Sequence, residues 1–107
     1  MNDRLKFRVP VFKNNEFDGH VYMELGEKLP ELHSGYYGKP EQCTGLKDKN
    51  GNLIYEGDIL KNGIHYYQVI WHAGKFVLNT GCKNYPISGC DLAEIVGNIH
   101  ENGDLLR

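Results

Sequence analysis

Two acidic residues flank a glycine at Glu56-Gly57-Asp58, and two carboxyl groups placed close together can act as a general acid and a general base. That chemistry also requires a cleft and surroundings that separate the two pKa values, which a sequence does not display. The same three residues fit a turn between two strands, with glycine at the bend. We therefore predict no catalytic residues in this chain.

The segment Asp48-Lys49-Asn50-Gly51 has the oxygen-bearing side chains and the glycine of a calcium-binding loop. Leu46, however, occupies the position of the first ligand, and no glutamate follows at the distance that such a loop requires. The Asn50-Gly51 pair instead predicts a tight type I′ turn, in which both residues take a positive φ. The segment thus indicates an antiparallel hairpin and not a cation site.

Eight potential metal ligands or nucleophiles are scattered along the chain without the close paired spacing of a metal motif or a disulfide framework. They are His20, His33, His65, His72, His100, Cys43, Cys82 and Cys90. We predict no metal, no cofactor and no structural disulfide, with the thiols free in a reducing compartment. A zinc site built by tertiary contacts from Cys82, Cys90, His72 or His100 remains the alternative.

The length of 107 residues suits one domain, 1–107, and the 13 glycines and 7 tyrosines are typical of β proteins with many turns. The formal charge of −2 lacks the positive field of a protein that binds by neutralising phosphates, so nucleic-acid binding is possible but not favoured. No stretch approaches the roughly 20 apolar residues of a membrane span, and no signal peptide is recognisable. We expect a soluble protein of the cytoplasm that does not bind membranes.

Alternating residues predict the first strand. Leu5, Phe7, Val9 and Val11 have the period of two of a strand with one buried face. Arg4, Lys6 and Arg8 form a basic stripe on the opposite face, which we interpret as solvent-exposed, with a nucleic-acid contact as the alternative. Pro10 cannot donate a ladder hydrogen bond and so predicts that the strand either lies at an edge there or ends.

Turn residues divide the rest of the chain into short strands. Residues 13–16 and the pair Asp18-Gly19 predict turns before a strand over 20–25. Leu53 to Leu60 predicts two strands around Gly57, and 66–71 pairs with 76–78 across a turn at 72–75. Glu94 to His100 is predicted as the last strand, with a bulge or a close backbone approach at Gly97.

These strands predict a mainly β fold, a small partly open barrel that is SH3-like in its C-terminal half, with an N-terminal hairpin and a long connecting loop. We place the N-terminal strands at 1–25, the long loop at 26–42 and the barrel-like portion at 43–107. Four aromatic residues are predicted to contact a partner, since a tyrosine or tryptophan anchors interfaces well. They are Tyr36, Tyr37, Tyr66 and Trp71; the alternative for the two loop tyrosines is to hold the loop against its own core.

Four segments, in order along the chain, resemble the YopX family of phage and prophage proteins. The chain is similar to that family at 5–8, at Thr44 to Leu60, in the central hairpin 69–71 with 76–78, and at 94–102 followed by Leu105-Leu106. The resemblance implies a mostly β fold, self-association and carriage on a phage or prophage. It implies no known reaction and supplies no catalytic residues.

The sequence therefore leads to a hypothesis of a non-enzymatic interaction module. It would form a homo-oligomer and bind a host or phage protein, such as a host regulatory or defence factor, in the cytoplasm of the bacterial host. The two alternatives are a small β-barrel that binds nucleic acid through the basic stripe and the aromatic strand, and an enzyme of unknown reaction.

Overall fold

The computed structural model describes residues 6–106, and within them ten strands form two five-stranded sheets. The first sheet has the order β2-β1-β4-β5, with β3 also paired to β1. Its strands are β1 (Lys6–Lys13), β2 (Glu16–Glu24), β3 (Tyr36–Tyr37), β4 (Glu41–Lys47) and β5 (Leu53–Tyr55). All its pairings are antiparallel, and the sheet curls into a half barrel.

The second sheet has the order β10-β6-β7-β8-β9 and is also antiparallel. Its strands are β6 (Asp58–Asn62), β7 (His65–His72), β8 (Lys75–Asn79), β9 (Asn84–Pro86) and β10 (Glu94–Asn98), with 3-10 helices at Ile87–Leu92 and Gly103–Leu106. Because β10 returns beside β6, the first strand of the β6-β7-β8 meander, the sheet has the arrangement predicted for the C-terminal half. The mainly β prediction is confirmed.

An apolar core lies on one face of the second sheet. Its buried members are Ile54, Leu60, Val69, Phe76, Leu78, Cys90 and Ala93, with Tyr67, Ile87 and Ile95 packed against them. Val69 is fully buried, whereas Trp71, two residues further along the same strand, is 49% exposed. Cys43 and Cys90 are buried, Cys82 is exposed, and none of the three forms a disulfide.

Two predicted turns have the expected chemistry. Asn14 and Asn15 both take positive φ between β1 and β2, and Ala73 and Gly74 do so between β7 and β8, as two-residue hairpins require. The bulge at Gly97 is also confirmed. The pairing of β10 with β6 shifts between Ile95 and Gly97, and a Cβ on Gly97 would lie 2.2 Å from the Asn102 side chain.

The hairpin between β4 and β5 is present, but its predicted type I′ turn is wrong. Gly51 takes a positive φ of 83° and Asn50 does not. The amide of Gly51 donates to the Asp48 carbonyl, and the Asp48 carboxylate accepts from the amides of Asn50 and Asn52. The side chain of Asp48 therefore shapes this turn, a role that the dipeptide pattern does not reveal.

Three expectations for the N-terminal part are also corrected. Strand β1 is paired on both sides and is not an edge strand. On the side of β3 and β4, neither strand pairs with Pro10. The Pro10 carbonyl accepts a hydrogen bond from the Gly38 amide instead. Asp18-Gly19 lies inside β2 beside a register shift and is not a turn. The predicted loop 26–42 contains β3 and the first residues of β4.

Candidate functional site

A buried ionic cluster joins the two sheets, and Arg8 is at its centre. The guanidinium donates through Nε to Glu41 Oε1 at 2.7 Å and contacts Asp58 Oδ1 through Nη1 at 2.8 Å. Arg8, Glu41 and Asp58 are 4%, 6% and 2% exposed. The interpretation of Arg8 as part of a solvent-exposed stripe is therefore wrong, because carboxylates of β4 and β6 enclose it. Arg4 and Leu5 lie outside the described residues.

The register of the first sheet places these groups together. Arg8 lies opposite Tyr22 on one side and opposite Glu41 on the other, so the three side chains stand in one row on one face. His20 is two residues from Tyr22 on the same strand and therefore shares this face. Tyr55 completes the surroundings, with its ring 5.0 Å from the Arg8 guanidinium and a pKa raised to about 12, chiefly by burial.

Gly57 connects this row to the second sheet. Its amide donates to the Val69 carbonyl, and its own carbonyl accepts from the amide of Ile99. A Cβ on Gly57 would lie 2.7 Å from Glu41 Oε2, so only glycine leaves room for that carboxylate at the observed φ of 91°. The contact to Ile99 also positions the next residue, His100, whose Nε2 lies 2.7 Å from Glu41 Oε2.

Glu41 thus lies between two imidazoles. His20 Nε2 lies 3.0 Å from Oε1, and His100 Nε2 contacts Oε2. Aromatic rings fix both imidazoles, since the Phe17 ring packs edge-on to His20 at 4.9 Å and stacks on His100 at 5.2 Å. Among the described residues, His20, Glu41 and His100 are the group whose ligand atoms could hold a metal, all within 4.8 Å of one another.

The charges of the cluster stabilise one another. Burial opposes ionisation of Glu41, but hydrogen bonds from His20 and His100 and the charge of Arg8 together hold the pKa of Glu41 below its ordinary value. Burial dominates at Asp58 and raises its pKa despite the nearby Arg8. Every buried side-chain nitrogen and oxygen atom in the described part of the chain has a hydrogen-bond partner. The cluster therefore connects the two sheets through buried polar groups that all have hydrogen-bond partners.

Glu56 and Asp58, considered above as an acid–base pair, face different surfaces. Asp58 borders a depression of about 640 Å³ together with Lys6, Lys47 and Tyr55, and its second carboxylate oxygen accepts from the Tyr55 amide. Glu56 borders two other clefts. The turn interpretation of Glu56-Gly57-Asp58 is the one that matches the structure.

The four residues predicted to contact a partner do not form one patch. Tyr36 is 51% exposed and stacks on Phe12 at 5.4 Å, while the Tyr37 hydroxyl donates to the Pro30 carbonyl and so holds the loop to itself. Tyr66 is half-buried with Lys61 Nζ 5.6 Å from its ring. Trp71 packs edge-on against Phe76 at 4.8 Å and remains half exposed.

Trp71 borders an open groove of about 300 Å³, lined by Lys39, Gln42, Glu56, Trp71 and Phe76, which we call the tryptophan groove. A second, more apolar cleft of about 370 Å³ shares Lys39 and Glu56 with it and reaches Glu41 and His100. The two depressions therefore adjoin. Sequence reasoning identified Trp71 but missed Glu41, His20 and Arg8 as a set, since they are brought together only by strand pairing.

Comparisons with known proteins agree with this fold. A family model described as YopX protein matches residues 7–107. Among solved structures, protein EF1440 from Enterococcus faecalis is similar over 95% of this chain and 97% of its own, at 28% sequence identity and a TM-score of 0.53. No curated protein matches the chain. Neither helix in the described residues is long and apolar enough to cross a membrane.

Proposed function

Because this chain belongs to the YopX family over nearly its whole length, we propose that it is a phage- or prophage-encoded interaction module that catalyses no reaction of its own. It acts in the cytoplasm of the bacterial host, associates with further copies of itself and binds a host or phage protein. The partner is a protein segment that seats an apolar side chain beside Trp71. A host regulatory or defence factor is the partner class that we favour.

The exposed indole of Trp71 is the observation that carries this proposal. Tryptophan is enriched among the few residues that dominate binding energy, and such residues act best on a rigid support. Trp71 lies directly opposite Phe76 in the β7–β8 hairpin, and Phe76 is buried in the core. The indole is therefore held in place before a partner arrives, which lowers the entropy cost of binding.

The polar residues of the tryptophan groove indicate the chemistry of the partner. Lys39 and Glu56 line it with opposite charges, and Gln42 adds an amide. A polypeptide offers both carbonyl acceptors and amide donors around an apolar side chain, whereas a nucleic acid offers a single sign of charge. The mixed lining therefore favours a protein partner.

Trp71→Ala tests the proposal, with Ile64→Ala as the matched control. Ile64 is 85% exposed in the β6–β7 turn at the opposite end of β7, so the two changes remove exposed apolar side chains at the two ends of one strand. Immobilised wild-type and variant chains would be incubated with lysate of the infected host, and bound proteins would be identified and their affinities measured. Removal of a side chain that dominates an interface typically costs about 2 kcal/mol or more of binding free energy, so we expect Trp71→Ala to weaken the affinity for the partner by about 30-fold or more.

We expect Ile64→Ala to bind the captured protein as wild type does and Trp71→Ala to lose it. Equal capture by all three chains, or no specific capture by wild type, would overturn the proposal. The alternative of nucleic-acid binding is weakened, because Arg8 of the basic stripe is paired with two carboxylates and does not face solvent. Its signature would be binding of DNA or RNA at about 50 mM salt that weakens steeply as salt rises.

A further inference from the structure

His20, Glu41 and His100 come from three distant parts of the chain and meet at one point. His20 lies in β2, Glu41 begins β4 and His100 follows β10. The imidazoles face the carboxylate with the same atom, Nε2, at 3.0 and 2.7 Å from its two oxygens. We propose that these three side chains bind one divalent transition-metal ion of the zinc class, which clamps the C-terminal segment onto the first sheet.

The donor set is the first argument for this site. Imidazole nitrogen and carboxylate oxygen are ordinary ligands of Zn²⁺, and two histidines with one carboxylate leave a position for water or a further ligand. A tetrahedral Zn²⁺ with ligand distances of about 2.0–2.1 Å holds its ligand atoms about 3.3–3.4 Å apart. The three ligand atoms lie within 4.8 Å of one another, and each Nε2 is already 3.0 or 2.7 Å from a Glu41 oxygen, so binding needs the two imidazoles to approach each other by up to about 1.5 Å. The His100 side chain is 18% exposed and borders the 370 Å³ cleft, which gives its ring space to shift.

The charge of the cluster is the second argument. Glu41 and Asp58 are two buried carboxyl groups, whereas Arg8 is the one guanidinium among residues 6–106 that contacts both. The cluster thus holds two carboxyl groups and one guanidinium, and buried charge is costly unless it is compensated. A bound cation supplies that compensation at the carboxylate that already faces both histidines.

The surroundings provide the third argument. Metal ligands are held by outer contacts that fix their orientation, and here Arg8 Nε donates to Glu41 Oε1 while Phe17 packs against both imidazoles. Glu41 and His100 also line the 370 Å³ cleft, which gives an ion a route from solvent. None of the three ligand residues lines the tryptophan groove, so a substitution of Trp71 leaves the ligand set intact.

Zinc titration of the metal-stripped full chain by calorimetry, with Co²⁺ absorption as a second measurement, tests the site. We expect one ion per chain, and we expect His20→Asn and His100→Asn each to weaken Zn²⁺ affinity by at least about 100-fold, the upper end of what loss of an outer contact costs. His72→Asn and Cys82→Ser are the controls, since both residues are exposed and lie outside the site. Both should bind as wild type does.

If the wild-type chain does not bind Zn²⁺ stoichiometrically, the proposal is wrong, and His20, Glu41 and His100 form only hydrogen bonds. Unchanged affinity in His100→Asn would also overturn the proposal, as would a thiolate-to-cobalt absorption band that Cys82→Ser removes. Circular dichroism would report whether His20→Asn folds. If it does not, His100→Asn and the Co²⁺ spectrum of wild type decide, because neither depends on that variant. Trp71→Ala should bind zinc normally whether or not its partner binding is lost.

Discussion

Arg8 is buried because two carboxylates and an aromatic ring enclose it, and one of these carboxylates, that of Glu41, also packs against Gly57. Desolvating an arginine is costly, so its neighbours must satisfy its donors. Glu41 and Asp58 accept from the guanidinium, and the Glu56 carbonyl accepts a further bond at 3.2 Å. The Glu41 carboxylate has its place only because Gly57 has no side chain. The ionic cluster and the glycine are therefore one structural unit.

Gly57→Ala tests this unit at the scale of one residue, with Gly51→Ala as its control. Both glycines have similar positive φ, 91° and 83°, so both variants incur the cost of a left-handed alanine, about 1–2 kcal/mol. A Cβ at Gly51 meets no atom within 4 Å, whereas one at Gly57 displaces the Glu41 carboxylate. We expect Gly57→Ala to lose about 1–3 kcal/mol more, as overpacking does. Urea denaturation measures both, and equal losses would contradict the account.

At the scale of elements, Asp48 connects the β4–β5 turn to β10. Its Oδ1 atom accepts from Asn50 and Asn52 within the turn, and its Oδ2 atom accepts from the Ile95 amide at 3.0 Å. The Lys49 amide adds a bond to the Ala93 carbonyl. One buried carboxylate thereby shapes a hairpin and fixes it to the neighbouring sheet.

The pKa of Asp48 gives a pH-dependent prediction. Burial opposes its ionisation, but the amides of Ile95, Asn52 and Asn50 together hold the pKa below its ordinary value. The folded chain therefore prefers the ionised form, so the stabilisation is complete above the unfolded pKa of about 4 and is lost as the pH falls through the lower folded pKa. Asp48→Asn should lower the free energy of unfolding by about 1.5–3 kcal/mol at neutral pH, because the amide nitrogen of asparagine cannot accept a hydrogen bond from a backbone amide.

Urea denaturation of wild type and Asp48→Asn from neutral to acidic pH checks this prediction. The two free energies of unfolding should converge as the pH falls, because protonation removes from wild type what the substitution has already removed. Asp91→Asn is the control, since Asp91 is exposed and should show no such difference. A gap between wild type and Asp48→Asn that stays constant with pH would refute the role of the ionised carboxylate.

At the scale of the whole molecule, two open sheets leave strand edges that can pair with another copy. Strand β2, with nine residues, is an edge of the first sheet, and β9 and β10 are the edges of the second. Pro86 lacks a backbone N–H group and so shortens the part of β9 that can pair with another strand, whereas β2 contains no proline. The longest unprotected edge in the described residues is therefore β2.

We expect the protein to be a homo-oligomer in solution, as exposed edges of small sheets favour. Size-exclusion chromatography with light scattering, run over a range of concentrations, should give a particle mass that is a multiple of the chain mass of 12.2 kDa. Amide hydrogen exchange should then show protection along β2 that increases with concentration. A strict monomer at every concentration would contradict the expectation.

The sequence by itself determined the local structure and the family. Asparagines that tolerate positive φ predicted the β1–β2 turn, and period-two patterning predicted β7 and β8. Gly97 predicted a bulge in β10. These features could be predicted because turns and strands depend on neighbouring residues. The segment from Thr44 to Leu60 and its companions led to the YopX family, whose model matches residues 7–107.

Only the tertiary structure decided which faces are covered and which distant groups meet. Alternation shows that Arg8 and Phe7 face opposite ways, but it does not show that a second layer buries the arginine side as well. Arg8 and Glu41 are 33 residues apart in sequence, and Glu41 and His100 are 59 apart. Such contacts arise from strand pairing across the whole chain, and no local pattern encodes them. The buried cluster and its two histidines therefore became visible only in the fold.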